Sequence, residues 1–316
     1  MKKQNTHIFV VLVLIGTSCV DGMARSRNQT LIRNIDYITS TEVKKYDWND
    51  PAAKHLILEL AEEAQRTLDY TYEVFVGGDQ LIRYPKSMQR FEWHGNVYIY
   101  NRVFPVMSGA IVLAEAYELF KVHTDRVAKI DIVNQAMIDF LIGDMTFRTV
   151  NGKECVTYPY SDEAQEKNPD QSEDFTHGSF DSRDFQRFYQ SDRYGFGEKY
   201  VKAMANTLVD VLDKRNGEFA ERLNGNGKIK KGTPTSYDGY IWYASFRPVI
   251  YDIVVDFILK KNIAFKDGRY DAYCLFEILK LKEARGRKPK LIYSNTFENE
   301  ASLDDWIFEG SVCLTI

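Results

Sequence analysis

Pro105-Val-Met-Ser-Gly-Ala-Ile-Val-Leu-Ala-Glu-Ala-Tyr-Glu-Leu-Phe120 is the stretch whose reading decides the fold. Val106, Ala110, Leu113, Tyr117 and Phe120 recur at the spacing of one helix face, and Pro105 suits a first helical turn. The same period runs on both sides. Upstream, His55 to Tyr70 carries Leu56, Leu60, Ala64 and Leu68. Downstream come Ile130, Val133, Met137 and Phe140, ending at Gly143, and then Val201, Met204, Leu208 and Val211, stopped near Gly217. Ile250, Val254, Phe257 and Ile258 follow Pro248, and Tyr273, Phe276, Ile278 and Leu279 make a last stripe. No alternating strand pattern of comparable length interrupts them. The expectation is an all-α domain over residues 50–285, built of helical hairpins joined by long polar loops.

Two loops exceed the usual connection length. Residues 149–176 contain Asn151-Gly152 and an acidic run from Asp162 to Asp174, and residues 217–243 contain Asn224-Gly-Asn-Gly227. Loops this long in a compact domain are functional or disordered.

The two ends of the chain differ from this middle. Residues 1–18 combine Lys2 and Lys3, an apolar run from Ile8 to Ile15 and the small residues Gly16-Thr17-Ser18. That is the layout of a cleaved signal, too short for a mature membrane span. Cys19 after those small residues resembles the lipobox of bacterial lipoproteins, although Gly16 stands where Leu is commonest. The resemblance implies acylation of Cys19, a membrane anchor and a place in the cell envelope, with residues 19–49 as tether. A plain secretory signal with an incidental Cys19 is the alternative. After a basic, Gly- and Pro-containing linker at 286–290, residues 291–316 resemble the opening strands of the jelly-roll β-sandwiches appended to polysaccharide-degrading proteins. A sandwich needs more strands, so the expectation is a second domain that has only begun; a small hairpin packed on the helices is the other reading.

Composition narrows the function classes. Lys plus Arg total 41 against 45 Asp plus Glu, a net charge of -4 that falls to about -6 without Lys2 and Lys3. Nothing there favours nucleic acid as a partner. Cys155, Cys274 and Cys313 are scattered, with neither a disulfide framework nor zinc-ligand spacing. The 20 Tyr, 19 Phe and 4 Trp can fill a core or stack on sugars. Gly227 to Thr233 has the glycine spacing of a phosphate loop without its Lys, and zinc-helix, nucleophile-elbow and dinucleotide motifs are missing. No cofactor is expected. Asp174, His177 and Asp181 are metal-ligand types, but no metal site is expected either.

Three polar clusters can carry chemistry. The densest runs from Asp174 through His177, Asp181, Arg183, Asp184 and Arg187 to Tyr189, followed by Arg193 and Tyr194. A helix starting near Ser179 would set Arg183 and Arg187 one turn apart beside a His177 loop. That supplies a proton acceptor, a proton donor and a carboxylate anchor. The plainer reading is a capped helix whose Asp181 and Asp184 pair with neighbouring Arg residues on a wet face. The second cluster holds Trp93, His94 and Arg102, with Tyr98 and Tyr100 as further aromatic faces. The third holds Tyr237, Asp238, Trp242 and Arg247, where an aromatic core anchor is equally consistent.

Helical hairpins, the lipoprotein-like start, loop His and Tyr residues and the sandwich-like tail together resemble the α/α-toroid carbohydrate-active proteins. That group includes alginate-lyase-like polysaccharide lyases and unsaturated glucuronyl hydrolases. The adjacent Asn pair of the alginate-lyase site is absent before His177, and the readable helices are fewer than six full hairpins. The resemblance implies an oligosaccharide or polysaccharide as partner. As a lyase, Arg183 or Arg187 would neutralise a uronate, His177 would take the C5 proton, and Tyr189 or Tyr194 would protonate the leaving oxygen. As a glycoside hydrolase, Asp181 and Asp238 would be the carboxyl pair. As a glycan-binding lipoprotein, the aromatics would suffice.

Overall fold

The computed structural model describes residues 51–85, 87, 95–160, 172–215, 217–229 and 237–261. The residues expected to form a signal and a lipidation site, Cys19 among them, Trp93 and His94, the stripe at 273–279 and the expected linker and sandwich-like tail lie outside the described residues.

Helix α1 (Pro51–Phe75) opens on a proline, whose missing N–H costs nothing at a helix start. Its buried face is Ile57, Ala61, Gln65, Leu68 and Tyr72, one position on from most of the sequence stripe, so Leu56, Leu60 and Ala64 are only half-buried. Helix α2 (Tyr100–Phe120) begins five residues before Pro105, which therefore sits inside it. It is long and apolar enough to cross a membrane by length and composition. However, 56% of the apolar window is buried within the molecule. A helix apolar on nearly every side is a core helix when other elements cover it, and here α1, α3 and α4 do. Tyr117 donates to the Ala61 carbonyl, fixing the α1–α2 contact.

Helix α3 (Thr124–Asp144) folds back after a tight turn in which Lys121 and His123 take left-handed conformations. Tyr100 at the start of α2 donates to Asp144 at the end of α3 at 2.5 Å, so the two helices run antiparallel. The described region is mostly helical, as expected, and α2 with α3 forms one helical hairpin. One expectation is corrected: the region is not purely helical. Strands β1 (Thr146–Val150) and β2 (Lys153–Thr157) pair antiparallel, with Val150 opposite Lys153. Asn151 (φ 51°) and Gly152 (φ 73°) make the turn, both in the left-handed region that two-residue hairpins favour. Mostly exposed strands carry little apolar alternation, which is why the period was invisible. The hairpin is docked by Thr207, whose hydroxyl bonds both Val156 N–H (2.9 Å) and Val156 C=O (2.7 Å).

Helix α4 (Phe175–Ser191) is the central element, packed by α2, α5 (Glu198–Thr207) and a 3-10 helix (Asp238–Ser245). One π-turn, Leu208–Leu212, extends α5, and α6 (Val249–Lys261) follows Pro248 as expected. The 3-10 helix meets α4 backbone to backbone. A Cβ on Gly239 would lie 1.7 Å from the Ser179 carbonyl, so only glycine fits there. Tyr240 donates to Phe175 C=O and Trp242 to Ser182 C=O, both at 2.7 Å, which locks the two elements together.

Candidate functional site

Helix α4 starts at Phe175 rather than near Ser179, because Asp174 caps it: its Oδ1 accepts from His177 N–H at 2.9 Å. His177 therefore belongs to the first helical turn, not to a loop. The same carboxylate receives the imidazole Nδ1 at 2.6 Å. Burial works against the Asp174 charge, but hydrogen bonds from the His177 ring and backbone hold its carboxyl below the usual range. An ionised carboxylate can only accept, so Nδ1 carries a proton, and in the neutral imidazole Nε2 is then the acceptor. The His177 side chain is 34% exposed.

Two rings flank this imidazole, Tyr160 with centroids 5.3 Å apart and Phe180 at 6.2 Å. Burial and then the Glu173 charge push the Tyr160 phenol up, whereas Arg102 acts the other way. Arg102 also acts on Tyr84, whose ring stacks on Tyr98 at 4.0 Å. Arg102 is exposed at the start of α2. Arg102 therefore acts on the tyrosine beside His177 as well as on Tyr84.

Two carboxyls of this region are wholly buried. Glu173 accepts from Asp174 N–H at 2.8 Å, and its Oε1 is 3.8 Å from His177 Nδ1. Asp181, one turn beyond His177, accepts from Tyr158 hydroxyl at 2.8 Å. Burial pushes both carboxyls well above their usual range.

Most of the remaining sequence candidates lie elsewhere, and for identifiable reasons. Arg183 and Arg187 are only 3% exposed and are committed to ion pairs, with Asp238 of the 3-10 helix and Glu115 of α2 respectively. Asp184 accepts from Ser108 at 2.7 Å. Asp181 and Asp184 thus each reach across to another part of the chain, Tyr158 and Ser108, because α4 is enclosed. Tyr189 is twelve residues beyond His177, about 18 Å along the axis at ~1.5 Å per residue, and meets Phe246 edge-on at 5.5 Å. Tyr194 lies beyond the helix end, where its hydroxyl bonds Asp131 (2.8 Å) and Asn134 (3.3 Å). Tyr189 thus lies about three turns along α4 from His177, and the Tyr194 hydroxyl is engaged by Asp131 and Asn134. Tyr237 and Trp242 are buried core aromatics. Arg247 pairs with Asp210 and bonds Asn206 at 3.2 Å, next to α5.

The structure adds Tyr158, Tyr160 and Glu173, which sequence reasoning passed over. Tyr158-Pro-Tyr160 lies inside the long segment 149–176, whose acidic run is the more prominent sequence feature. Glu173, Asp174 and His177 offer donor atoms within 4.8 Å of one another, a possible cation set. The 2.6 Å contact is a hydrogen-bond distance, however, and the positive end of α4 disfavours a cation there. Comparison of the chain with protein-family models, with curated proteins and with solved structures finds no match.

Proposed function

We propose that the chain cleaves a uronate-containing polysaccharide by β-elimination, with the Asp174–His177 dyad as its basic centre. His177 Nε2 takes the C5 proton, the C4–O bond breaks as the C4=C5 double bond forms, and Tyr160 gives its proton to the leaving oxygen. Arg102 faces the uronate carboxylate, in the place first given to Arg183 or Arg187. The observation that carries the reading is the half-exposed imidazole whose Nδ1 is anchored by Asp174 while a tyrosine ring lies 5.3 Å away. A phenol raised by burial remains protonated at neutral pH, as a general acid must. Within this proposal the helical hairpins are arcs of an α/α toroid, and Cys19 anchors the protein by lipid in a bacterial envelope. The hydrolase alternative has less support, since Asp181 and Asp238 are buried and held by Tyr158 and Arg183.

The test is release of unsaturated uronate, followed by its ultraviolet absorbance, across alginate, pectate, hyaluronan, chondroitin and heparan. Wild type should act on at least one of them. On that substrate Tyr160→Phe should lose on the order of 10²-fold or more in kcat, and Arg102→Ala a similar factor in kcat/KM. Glycan binding without any product would replace the lyase with a binding protein, and cleavage of a neutral glycan requiring Asp181 and Asp238 would favour the hydrolase.

A further inference from the structure

His177 is the third residue of α4 after the Asp174 cap. In the usual reciprocal cap the N-cap side chain accepts from the N–H of that third residue, whose own side chain turns back to accept the N-cap N–H. The first half is present here, since Asp174 Oδ1 accepts from His177 N–H at 2.9 Å. The second half is not, because the His177 ring donates to the Asp174 carboxylate instead. The Asp174 N–H is accepted by Glu173, whose Oε1 lies 2.8 Å away. We infer that Glu173 is a positioning residue of the site: by taking the Asp174 N–H it relieves the ring at 177 of that role and so fixes the His177 proton on Nδ1.

Glu173 is held firmly enough for such a role. It is 0% exposed, its N–H donates to Tyr158 C=O at 2.8 Å, and its C=O accepts from Leu223 N–H at 2.9 Å. Its side chain acts by hydrogen bond rather than by charge. Oε1 stands 3.8 Å from His177 Nδ1, beyond hydrogen-bond reach, and Oε2 is buried with no hydrogen-bond partner among the described residues. An anion so poorly satisfied is costly. Burial, Asp181 and Asp174 accordingly push the carboxyl above its usual range, with Asp174 N–H and Arg222 acting the other way. A neutral carboxyl still offers an acceptor to Asp174 N–H. Without Glu173 the reciprocal cap can close in its usual form, with Nδ1 accepting from Asp174 N–H, and the ring proton then moves to Nε2. An imidazole already protonated at Nε2 cannot take a proton there. The hold on the tautomer stands on the cap geometry, whereas its bearing on turnover rests on reading His177 as the base.

The experiment is the ring-nitrogen NMR spectrum of the full chain labelled at histidine, for wild type, Glu173→Gln and Glu173→Met across the titration of the imidazole. The His177 signals are those lost in His177→Ala. Wild type should show the Nδ1–H form of the neutral ring. Glu173→Gln keeps an acceptor oxygen and should show the same form, with a titration midpoint within about a few tenths of a unit of wild type. Glu173→Met fills the space without an acceptor and should convert most of the neutral ring to the Nε2–H form. On a glycan that wild type cleaves, Glu173→Met should also lose about 10-fold or more in kcat at unchanged KM, and Glu173→Gln should restore it. An Nε2–H ring in wild type, or an Nδ1–H ring retained in Glu173→Met, would overturn the inference. So would a fall of about one unit or more in the titration midpoint of Glu173→Gln, since Glu173 would then act as an anion. That last comparison decides the matter if Glu173→Met does not fold. The spectra need no substrate: wild type inactive on every glycan would remove the base, while the hold of Glu173 on the ring proton would stand or fall by the tautomer.

Discussion

The first turn of α4 and the middle of the same helix use the same residue types for opposite purposes. In the first turn Asp174 and His177 meet at 2.6 Å, with the imidazole 34% exposed and one ring nitrogen left over. In the middle, Arg183 and Asp238 are 3% and 4% exposed and face each other across two elements. Both are acid–base contacts, but only the exposed one retains a ring nitrogen outside the pair. A charged side chain in the core must be paired, and the pairing removes it from chemistry. Residue type alone therefore does not mark a site; what marks it is a polar atom that folding leaves accessible.

That contrast can be broken most forcefully at the buried pair. Arg183→Ala should destabilise the fold by about 3–5 kcal/mol, because it removes the guanidinium that pairs with the buried Asp238 charge, and Arg183→Met with Asp238→Leu should recover most of that loss. Chemical denaturation of the three proteins measures it. A loss below 1 kcal/mol for the single variant would mean that water reaches the pair.

A smaller effect is expected at the cap. Asp174→Ala should cost about 1 kcal/mol at pH 7, the worth of an N-cap. Its folded-state carboxyl is held low, so this stability is present above about pH 4 and is lost as pH falls through the lower folded value. The difference from wild type should shrink in acid, as denaturant titrations at pH 7 and pH 3 would show. A constant difference would assign the cost to packing instead.

The helices were legible because their apolar period is strong: Val106, Ala110, Leu113, Tyr117 and Phe120 all fall within α2. Pro105 marked the first turn only approximately, since the helix starts at Tyr100 with five residues before the ring constrains the backbone. The hairpin at 146–157 was hidden because one face of it is wet, and Asn151-Gly152 was its only local signal. At the site, His177 and Asp174 were visible as neighbours in sequence. Tyr160 was not, because its approach to His177 depends on how β2 ends and how the chain re-enters at Ser172. Arg183 and Arg187 misled for the complementary reason: only the positions of Glu115 and Asp238 in three dimensions show that both cations are engaged.

The smallest expected change in stability accompanies the most decisive test of function. His177→Ala removes a half-exposed ring and one hydrogen bond, so its midpoint should stay within a few degrees of wild type. The measurement is the initial rate of unsaturated-uronate release by folded His177→Ala, on the glycan that wild type degrades fastest. The account predicts a fall of about 10²- to 10⁴-fold, the contribution of a general base. An unchanged rate would contradict it and remove His177 from the chemistry.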